Sequence, residues 1–291
     1  MSINDWFLVN ESAIRLSCFV GTLTIMTVLE RVAPRRSPTS SNFFPQRIRW
    51  INNIAMMVIY TVLVRLIIPV ATIDVATSVG EHGWGVLNVL NVPFVLSVAI
   101  ALLALDFIIW LQHVVFHAVP VLWRLHRVHH ADLHYDVTTG IRFHPIEILL
   151  SIGIKLGAIA LLGAPVLAVV IFEVLLNVTS LFNHSNINLP RWSDRLLRWV
   201  VVTPDMHRVH HSIDFHESNR NFGFNLPWWD RLFGTYQDQP KLGHHGMTIG
   251  IVEYRRPRDV VSLMGLLRLP CQPLTPTTPQ SYAIAGNGKG Q

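Results

Sequence analysis

The chain is poor in charged residues. Asp, Glu, Lys and Arg make up 14% of its 291 residues, whereas a soluble domain carries about 25%. Hydrophobic residues account for 51%. This balance argues against an ordinary soluble domain and indicates a protein that places apolar surface in a lipid bilayer.

Cysteine is also scarce, and several functional signatures are missing. The two cysteines, Cys18 and Cys271, lie far apart, which excludes a disulfide framework and a cysteine-rich metal site. The sequence has no glycine-rich nucleotide loop, no haem or flavin signature and no His-Glu-x-x-His motif. Asp5 and Glu11 stand where a signal peptide has a basic segment, so we expect no cleavage and a first apolar segment that stays in place.

Five apolar segments approach the length of about 20 residues that a helix needs to cross a bilayer. Gly163-Ala164-Pro165 separates the last two and is typical of a tight helical hairpin. The sequence therefore predicts an all-α integral membrane protein with about four to five transmembrane helices. The segments are roughly Ile14–Leu29, Ile54–Ala71, Phe94–Leu111, Ile146–Leu162 and Val166–Phe182.

Arginine is unevenly distributed between these segments. It is frequent in residues 31–49, 124–142 and 191–208, whereas residues 74–92 contain neither Lys nor Arg. Because positive loops stay in the cytoplasm, the first three regions are predicted to be cytoplasmic and the fourth to lie across the membrane. The net charge of +5 is then interpreted as an attraction of the basic loops to anionic lipid headgroups, and no nucleic-acid partner is expected.

The predicted organisation has three parts. Residues 1–92 hold the N-terminal transmembrane helices and loops. Residues 93–262 form a catalytic domain with a cytoplasmic, histidine-rich helical cap, and residues 263–291 form a disordered tail, rich in Pro, Thr and Gly from Pro270. The hairpin of residues 146–182 either crosses the membrane or re-enters on one side, and an even number of passes follows.

Histidine is abundant and clustered. Eight of the fifteen histidines fall into three groups that border apolar segments. Residues spaced i, i+3 and i+4 share one face of a helix, so each group can point its imidazoles in one direction. Neutral imidazole binds zinc, copper, iron and nickel, and so many donors exceed the needs of one tetrahedral site, which predicts two metal ions. The groups are His113 and His117; His126, His129 and His130; and His207, His210 and His211.

Other interpretations of these histidines remain open at this point. They are either enriched by chance on a solvated surface or titrate near the lipid headgroups. A zinc-dependent membrane hydrolase or a non-redox metal-binding membrane protein is a further alternative. Such a hydrolase usually needs only three protein ligands and a nearby general base.

The order of the motifs resembles the fatty acid hydroxylase superfamily, the sterol desaturase-like integral membrane oxygenases. His-x-x-x-His after an apolar helix precedes His-x-x-His-His, a helical hairpin, a second His-x-x-His-His and the segment Trp229–Thr235, over about residues 90–240. The resemblance implies a non-haem di-iron centre whose ligands are the eight clustered histidines. It also implies O2 activation and the hydroxylation, desaturation or oxidative cleavage of a lipid.

The resemblance and the position in the chain mark further site residues. His184 lies at the end of the hairpin, where the family often has another ligand; a histidine that caps the helix is the alternative. Some members have a histidine four residues later, where this chain has Asn188, which binds weakly, acts through water or leaves a position open for O2. His134, His144 and His216 lie near the clusters and are expected to contact the ligands or the substrate.

Carboxylates are expected to orient the imidazole N–H groups of an all-histidine ligand set. Asp106 is the best candidate, because it lies one helical face above His113 and a charge inside an apolar segment is costly unless paired. Asp132, Asp205 and Asp214 flank the other clusters, where each is alternatively a helix N-cap or a solvated charge. The histidines predicted to be solvated are His82, His244 and His245.

The sequence therefore predicts an O2-dependent lipid hydroxylase or desaturase of the monooxygenase type. A lipid enters laterally from the bilayer, and sterols, fatty acyl chains, ether lipids and carotenoids all suit an apolar cavity. Since no nucleotide-binding loop is visible, electrons ultimately come from NAD(P)H through a separate ferredoxin, cytochrome or flavoprotein reductase. An acidic partner of this kind is expected to dock near Arg191–Arg198.

Overall fold

The computed structural model describes residues 10–37 and 45–273. Within these ranges the protein is helical and contains no strand beyond two isolated bridges, Pro34 with Ile187 and Ser212 with Ile249. The helices in chain order are α1 (Glu11–Val32), α2 (Gln46–Ile67), α3 (Thr72–Glu81), α4 (Val86–Val89), α5 (Phe94–Ala118), α6 (Pro120–His130), α7 (Pro145–Leu162), α8 (Val166–Asn183), α9 (Arg191–Leu197), α10 (Pro204–His210), α11 (Phe215–Ser218), α12 (Trp228–Leu232), α13 (Gly243–Gly246), α14 (Pro257–Val260) and α15 (Leu263–Arg268), with 3-10 turns at Val137–Ile141 and Leu269–Cys271.

Five apolar stretches of the described chain are long enough to cross a membrane. They lie in α1, in the Gln46–Val89 region that begins with α2, and in α5, α7 and α8, with mean hydropathy between 1.6 and 2.6. The helices α5, α7 and α8 pack around a shared core in which Leu105, Ile159 and Phe172 are buried. The predicted all-α membrane architecture is confirmed.

The hairpin turn between α7 and α8 forms one end of the bundle. Gly163 adopts a left-handed backbone conformation with φ +70°, which ends α7, and Pro165 precedes α8. The loop before α5 packs closely on this turn, since a Cβ on Gly85 would lie 2.2 Å from the Gly163 nitrogen. Glycine is therefore required for the close approach of the two segments.

The histidine-bearing cap lies at the end of the hairpin opposite to the Gly163 turn. His144 is the N-cap of α7 and His184 the C-cap of α8, so both lie at the ends of these helices away from Gly163. Residues 82–90 pack at the Gly163 end, whereas the described parts of the regions predicted to be cytoplasmic lie at the other end, as the ion pairs of Arg35 with Asp205 and of Arg49 with Asp132 show. The assignment of the histidine end to the cytoplasm stays a prediction.

Buried arginines join the N-terminal helices to the cap. Arg49 of α2 lies between Asp132 and Asp136, with N···O distances of 2.6 and 2.5 Å. Arg142 donates to the carbonyl oxygens of Val128 and Val260 at 2.9 and 2.5 Å. Because a buried charge is costly unless it is paired or hydrogen-bonded, these contacts hold the N-terminal helices and the cap together.

The C-terminal boundary differs from the predicted one. Residues from 263 were expected to be disordered, but α15 is helical, and Leu266 and Leu269 are buried in a core cluster with Trp123. Arg127 also donates to the carbonyl oxygen of Leu269 at 2.6 Å. The free energy gained by burying these leucines outweighs the tendency of the nearby prolines to form turns. The predicted tail therefore starts too early, and its part from residue 274 lies outside the described residues.

Candidate metal centre

The fold collects nine histidines into two adjoining groups. Within each group the available ring nitrogens lie within 4.8 Å of one another, which is close enough to share one ion. Every one of the nine residues is at most 2% exposed. The first group is His113, His117, His126, His130 and His210; the second is His129, His184, His207 and His211. These are the nine histidines that the sequence predicted as metal ligands.

Helical geometry explains how the residues are divided. In each His-x-x-His-His motif the histidines at i and i+4 belong to one group, and the histidine at i+3 belongs to the other. Thus α6 gives His126 and His130 to the first group and His129 to the second. In the motif at the end of α10 the assignment is reversed: His210 belongs to the first group, and His207 and His211 belong to the second. Each motif therefore bridges both groups.

Hydrogen bonds to backbone carbonyl oxygens fix the tautomer of three of these histidines. The Nδ1–H of His113 donates to the carbonyl oxygen of Phe222 at 2.7 Å, and that of His184 donates to Ser180 at 2.7 Å. His210 donates in the same way to Arg220 at 2.8 Å. Because a proton on Nδ1 leaves a lone pair on Nε2, these rings present Nε2 to a metal.

The Nε2 atoms of each group lie close enough together to bind one ion. In the first group His113 Nε2 lies 3.0 Å from the Nε2 atoms of both His126 and His210. In the second group His184 Nε2 lies 3.0 Å from those of His129 and His207. Two ligands about 2.1 Å from an ion are about 3.0 Å apart at a right angle and about 3.4 Å apart at the tetrahedral angle.

Burial keeps the cap histidines neutral. It lowers the pKa of His126 and of His184 to about 3. The pKa values of His129, His130, His207, His210 and His211 are also well below the ordinary value, first because of burial and then because of neighbouring histidines. Neutral imidazole is the form that binds a metal.

His211 gives a second indication of a bound ion. Both of its ring nitrogens are buried, and neither has a hydrogen-bond partner among the described residues. A buried polar atom without a partner costs free energy. An ion held between His211 and its neighbours His129 and His207 would give one of these nitrogens a partner, so the donor set fits a metal.

Glu147 is a functional residue that the sequence analysis missed. The Nδ1–H of His126 donates to Glu147 Oε1 at 2.6 Å, and both side chains are buried. A carboxylate in this position fixes the ring orientation of a ligand and raises its basicity. The cost of a charge inside an apolar segment, which pointed to Asp106, also marks Glu147 as a candidate, although it does not reveal His126 as the partner.

Asp106 has a different role from the one predicted. Its carboxylate accepts hydrogen bonds from Asn225 at 2.8 Å and from Trp229 at 2.7 Å, and it contacts no ligand histidine. The reason is distance, since seven residues of helix separate Asp106 from His113 by about 10 Å along the axis. Asp106 therefore anchors the loop that faces α5.

Asp230, in the segment Trp229–Thr235, supports His113 through the backbone. Its carboxylate accepts hydrogen bonds from the backbone N–H groups of Phe222 and Gly223 at 2.9 and 2.8 Å. It also accepts from Trp110 of α5 at 3.0 Å. The carbonyl of Phe222 accepts from His113, so Asp230 positions the group that orients this ring.

The other predicted neighbours of the site do not contact the ligand rings. Asp205 pairs with Arg35 and Arg208. Asn188 is exposed, and its backbone N–H donates to the Ala33 carbonyl oxygen at 2.8 Å. These two residues therefore hold the segment after α1 against the cap.

Three more predictions of this kind are resolved by the structure. The backbone N–H of His134 donates to Asp132 at 3.3 Å, which places His134 beside the Arg49 ion pair. Asp214 is the N-cap of α11, as its alternative interpretation held. His244 was predicted to be solvated, but it is 3% exposed and lies 3.4 Å from Asp205, because α13 packs against α10.

Comparisons with known proteins agree with this geometry. Residues 98–235 match the fatty acid hydroxylase family. The chain is 32% identical over 149 residues to ornithine lipid hydroxylase OlsE of Rhizobium tropici, an alignment that covers 51% of this chain and 44% of the relative. It is 29% identical over 150 residues to alkylglycerol monooxygenase of Xenopus tropicalis, covering 50% of this chain and 32% of the relative.

Another relative is a sterol enzyme. The chain is 29% identical over 135 residues to human cholesterol 25-hydroxylase, covering 45% of this chain and 47% of the relative. The chain thus spans less than half the length of the curated relatives it matches. No solved structure matches it. The matched region runs from α5 to α12 and contains all nine clustered histidines, and through this region the chain is similar to the fatty acid hydroxylase superfamily.

Proposed function

We propose that the protein hydroxylates a membrane lipid with O2, using two iron ions held by the nine buried histidines. The observation that carries the proposal is the pair of adjoining histidine groups inside a fatty acid hydroxylase domain. The relatives are named as hydroxylases and a monooxygenase, which favours hydroxylation over desaturation. Iron would supply the O2 and redox chemistry that amino-acid side chains lack.

A cavity beside the first histidine group suits an apolar substrate. It has a volume of about 230 Å³, lies among α1, α2, α5, α7 and α8, and reaches His113 and His126. Its wall includes Ile109, Phe116 and Ile152. These side chains would exclude water and hold a C–H bond of the lipid next to the histidines, so that proximity and orientation favour reaction at one carbon.

Electrons are proposed to come from NAD(P)H through a separate ferredoxin, cytochrome or flavoprotein reductase. The predicted docking region around α9 offers less positive charge than its sequence suggests. Arg198 is buried and pairs with Asp194 and Asp238, whereas Arg191 and Arg195 are exposed. An acidic partner would therefore use Arg191 and Arg195 and leave Arg198 in its ion pairs.

The cap is proposed to face the cytoplasm. In a background with Cys18→Ser and Cys271→Ser, single cysteines at the exposed positions Glu81 and Lys241 would be tested with an impermeant thiol reagent. The expected result is labelling of Lys241→Cys from the cytoplasmic side and of Glu81→Cys from the opposite side. Labelling of both from one side would contradict this topology.

Isotope labelling separates the proposal from a zinc hydrolase. Protein purified without oxygen would be analysed for metals and incubated with membrane lipid extract, a chemical reductant and 18O2. We expect two irons per chain and a lipid product that carries 18O from O2, with zinc-loaded protein inactive. Fewer than one iron per chain, or a product that forms without O2 and takes its oxygen from water, would support the hydrolase.

A further inference from the structure

The end of the cavity away from the histidines is charged. Arg15 of α1, Lys155 of α7 and Glu173 of α8 line the same cavity as His113 and His126. Arg15 and Lys155 both pair with Glu173, whose side chain is 3% exposed. Charged side chains within membrane helices are costly and commonly mark a functional site.

One face of α7 connects the two ends of the cavity. Glu147, Ser151 and Lys155 recur every four residues, so they lie on the same face of the helix, and all three line the cavity. Glu147 contacts His126, and Lys155 contacts Glu173. Their backbone positions are about 12 Å apart along the helix axis, because each residue adds about 1.5 Å.

The middle of the cavity is polar as well. Gln112 donates to Ser151 at 3.0 Å, and both residues line the wall. The Gln112 Oε1 atom is buried and has no hydrogen-bond partner among the described residues. A ligand made only of hydrocarbon would leave this atom unsatisfied, which costs free energy. The wall therefore fits a lipid with polar groups better than a plain hydrocarbon.

The charged end offers hydrogen-bond donors. Two cations share the Glu173 carboxylate, which also accepts from Thr72 at 3.1 Å, and Arg15 pairs in addition with Glu11 at 2.9 Å. An ammonium group carries three N–H donors, so Lys155 keeps donors for a ligand after it binds Glu173. An oxygen acceptor fits the N–H donors that remain at this end.

We propose that Lys155 and Arg15 bind a carbonyl or carboxylate oxygen of the lipid. This contact would place a carbon roughly 12 Å further along the chain beside His113 and His126, so the charged end selects the substrate class and the position of oxidation. The choice of the oxidised carbon rests on the proposed function, whereas binding of the oxygen acceptor does not.

Photo-crosslinking tests the binding without any turnover. The probe is a straight-chain fatty acid with a diazirine at a carbon about 12 Å from its carboxylate, compared with its methyl ester and with an alkane that carries the same diazirine. The acid is expected to label Phe116, Phe143 or Ile148, which line the histidine end, several-fold more than the alkane does. Labelling by the ester as well would show that a neutral carbonyl suffices; labelling by the acid alone would identify an anionic ligand.

Two variants test the role of the charges. Lys155→Met should scatter the labelled positions, and the triple variant Arg15→Met/Lys155→Met/Glu173→Gln should do the same, because it removes both proposed donors and leaves no unpaired buried carboxylate. Lys241→Met is the matched control, because Lys241 is exposed and lies outside the cavity. Equal metal content of all the variants would show that they fold.

Equal labelling by acid and alkane, or unchanged labelling in the folded triple variant, would overturn the proposal and leave the charges as ion pairs that only join the helices. Loss of turnover in the isotope experiment, with position-specific labelling retained, would count against the proposed function alone.

Discussion

The two His-x-x-His-His motifs have nearly the same sequence but different surroundings. In the first, at residues 126–130, the leading histidine donates to the Glu147 carboxylate. In the second, at residues 207–211, the Nδ1 of the leading His207 is buried without a hydrogen-bond partner among the described residues. The comparison shows that the shared motif determines which rings point at the centre. Elements distant in the chain decide whether each ring has a hydrogen-bond partner that orients it.

The largest difference is expected when each motif loses its i and i+4 histidines. His207→Ala/His211→Ala leaves the second group with only His129 and His184, which are too few ligands to retain an ion. We expect metal content to fall to about one ion per chain, the number left by emptying one of two sites, with loss of hydroxylation. Elemental analysis of the purified protein measures this.

The corresponding change in the first motif should be milder in metal content. His126→Ala/His130→Ala leaves His113, His117 and His210, and three histidines still make a metal site. We expect this variant to keep more metal than the other double variant and to release it faster to a chelator. Equal metal loss from the two variants would contradict the unequal division of the histidines.

Glu147→Gln tests the carboxylate that only the first motif has. The glutamine keeps the size of the side chain but removes its charge, so His126 becomes a weaker and less ordered ligand. A loss of roughly 10- to 100-fold in metal affinity or turnover is expected. Metal competition titration and initial rates measure the two effects, and Glu81→Gln, at an exposed position, serves as the matched control.

The pH dependence of the metal-free protein should reflect both motifs. Burial lowers the folded-state pKa of the cap histidines, so unfolding takes up protons below the unfolded pKa of about 6.5. Their contribution to stability is complete above that pH and is lost as the pH falls, by up to about 1.4 kcal/mol per pH unit for each histidine.

Thermal unfolding between pH 8 and 5 measures this dependence. We expect the metal-free protein to lose stability steeply below about pH 6.5, and His207→Gln/His211→Gln to show a shallower slope. The same slope in both proteins would mean that these two residues do not take up protons on unfolding.

The smallest effect is expected at Asp230. Asp230→Asn weakens the support of Phe222, which in turn orients His113, so it acts at one step further from the rings than Glu147 does. We expect a few-fold decrease in turnover with unchanged metal content. His82→Ala, at an exposed position near the opposite end of the bundle, should change neither quantity.

Much of the site was predictable because helical spacing is regular. The i, i+3 and i+4 pattern of His126, His129 and His130 required a shared direction for their rings, and the fold uses that direction. His184, at the end of the hairpin, lies beside His129, His207 and His211 in the second group. Glu147 was missed because its partner His126 lies 21 residues away, and nothing local shows that α7 brings the two together.

The sequence by itself determined the helical membrane architecture and the nine histidines, since hydrophobic length and helical period are local properties. The tertiary structure alone decided how the histidines divide into five and four. It also decided that Asp106 serves Trp229 and Asn225 while Glu147 serves His126, and that Lys155 faces the same cavity as His113. The physical reason is that hydrogen bonds and ion pairs require contact within a few ångströms, and only the packing of distant helices creates that contact.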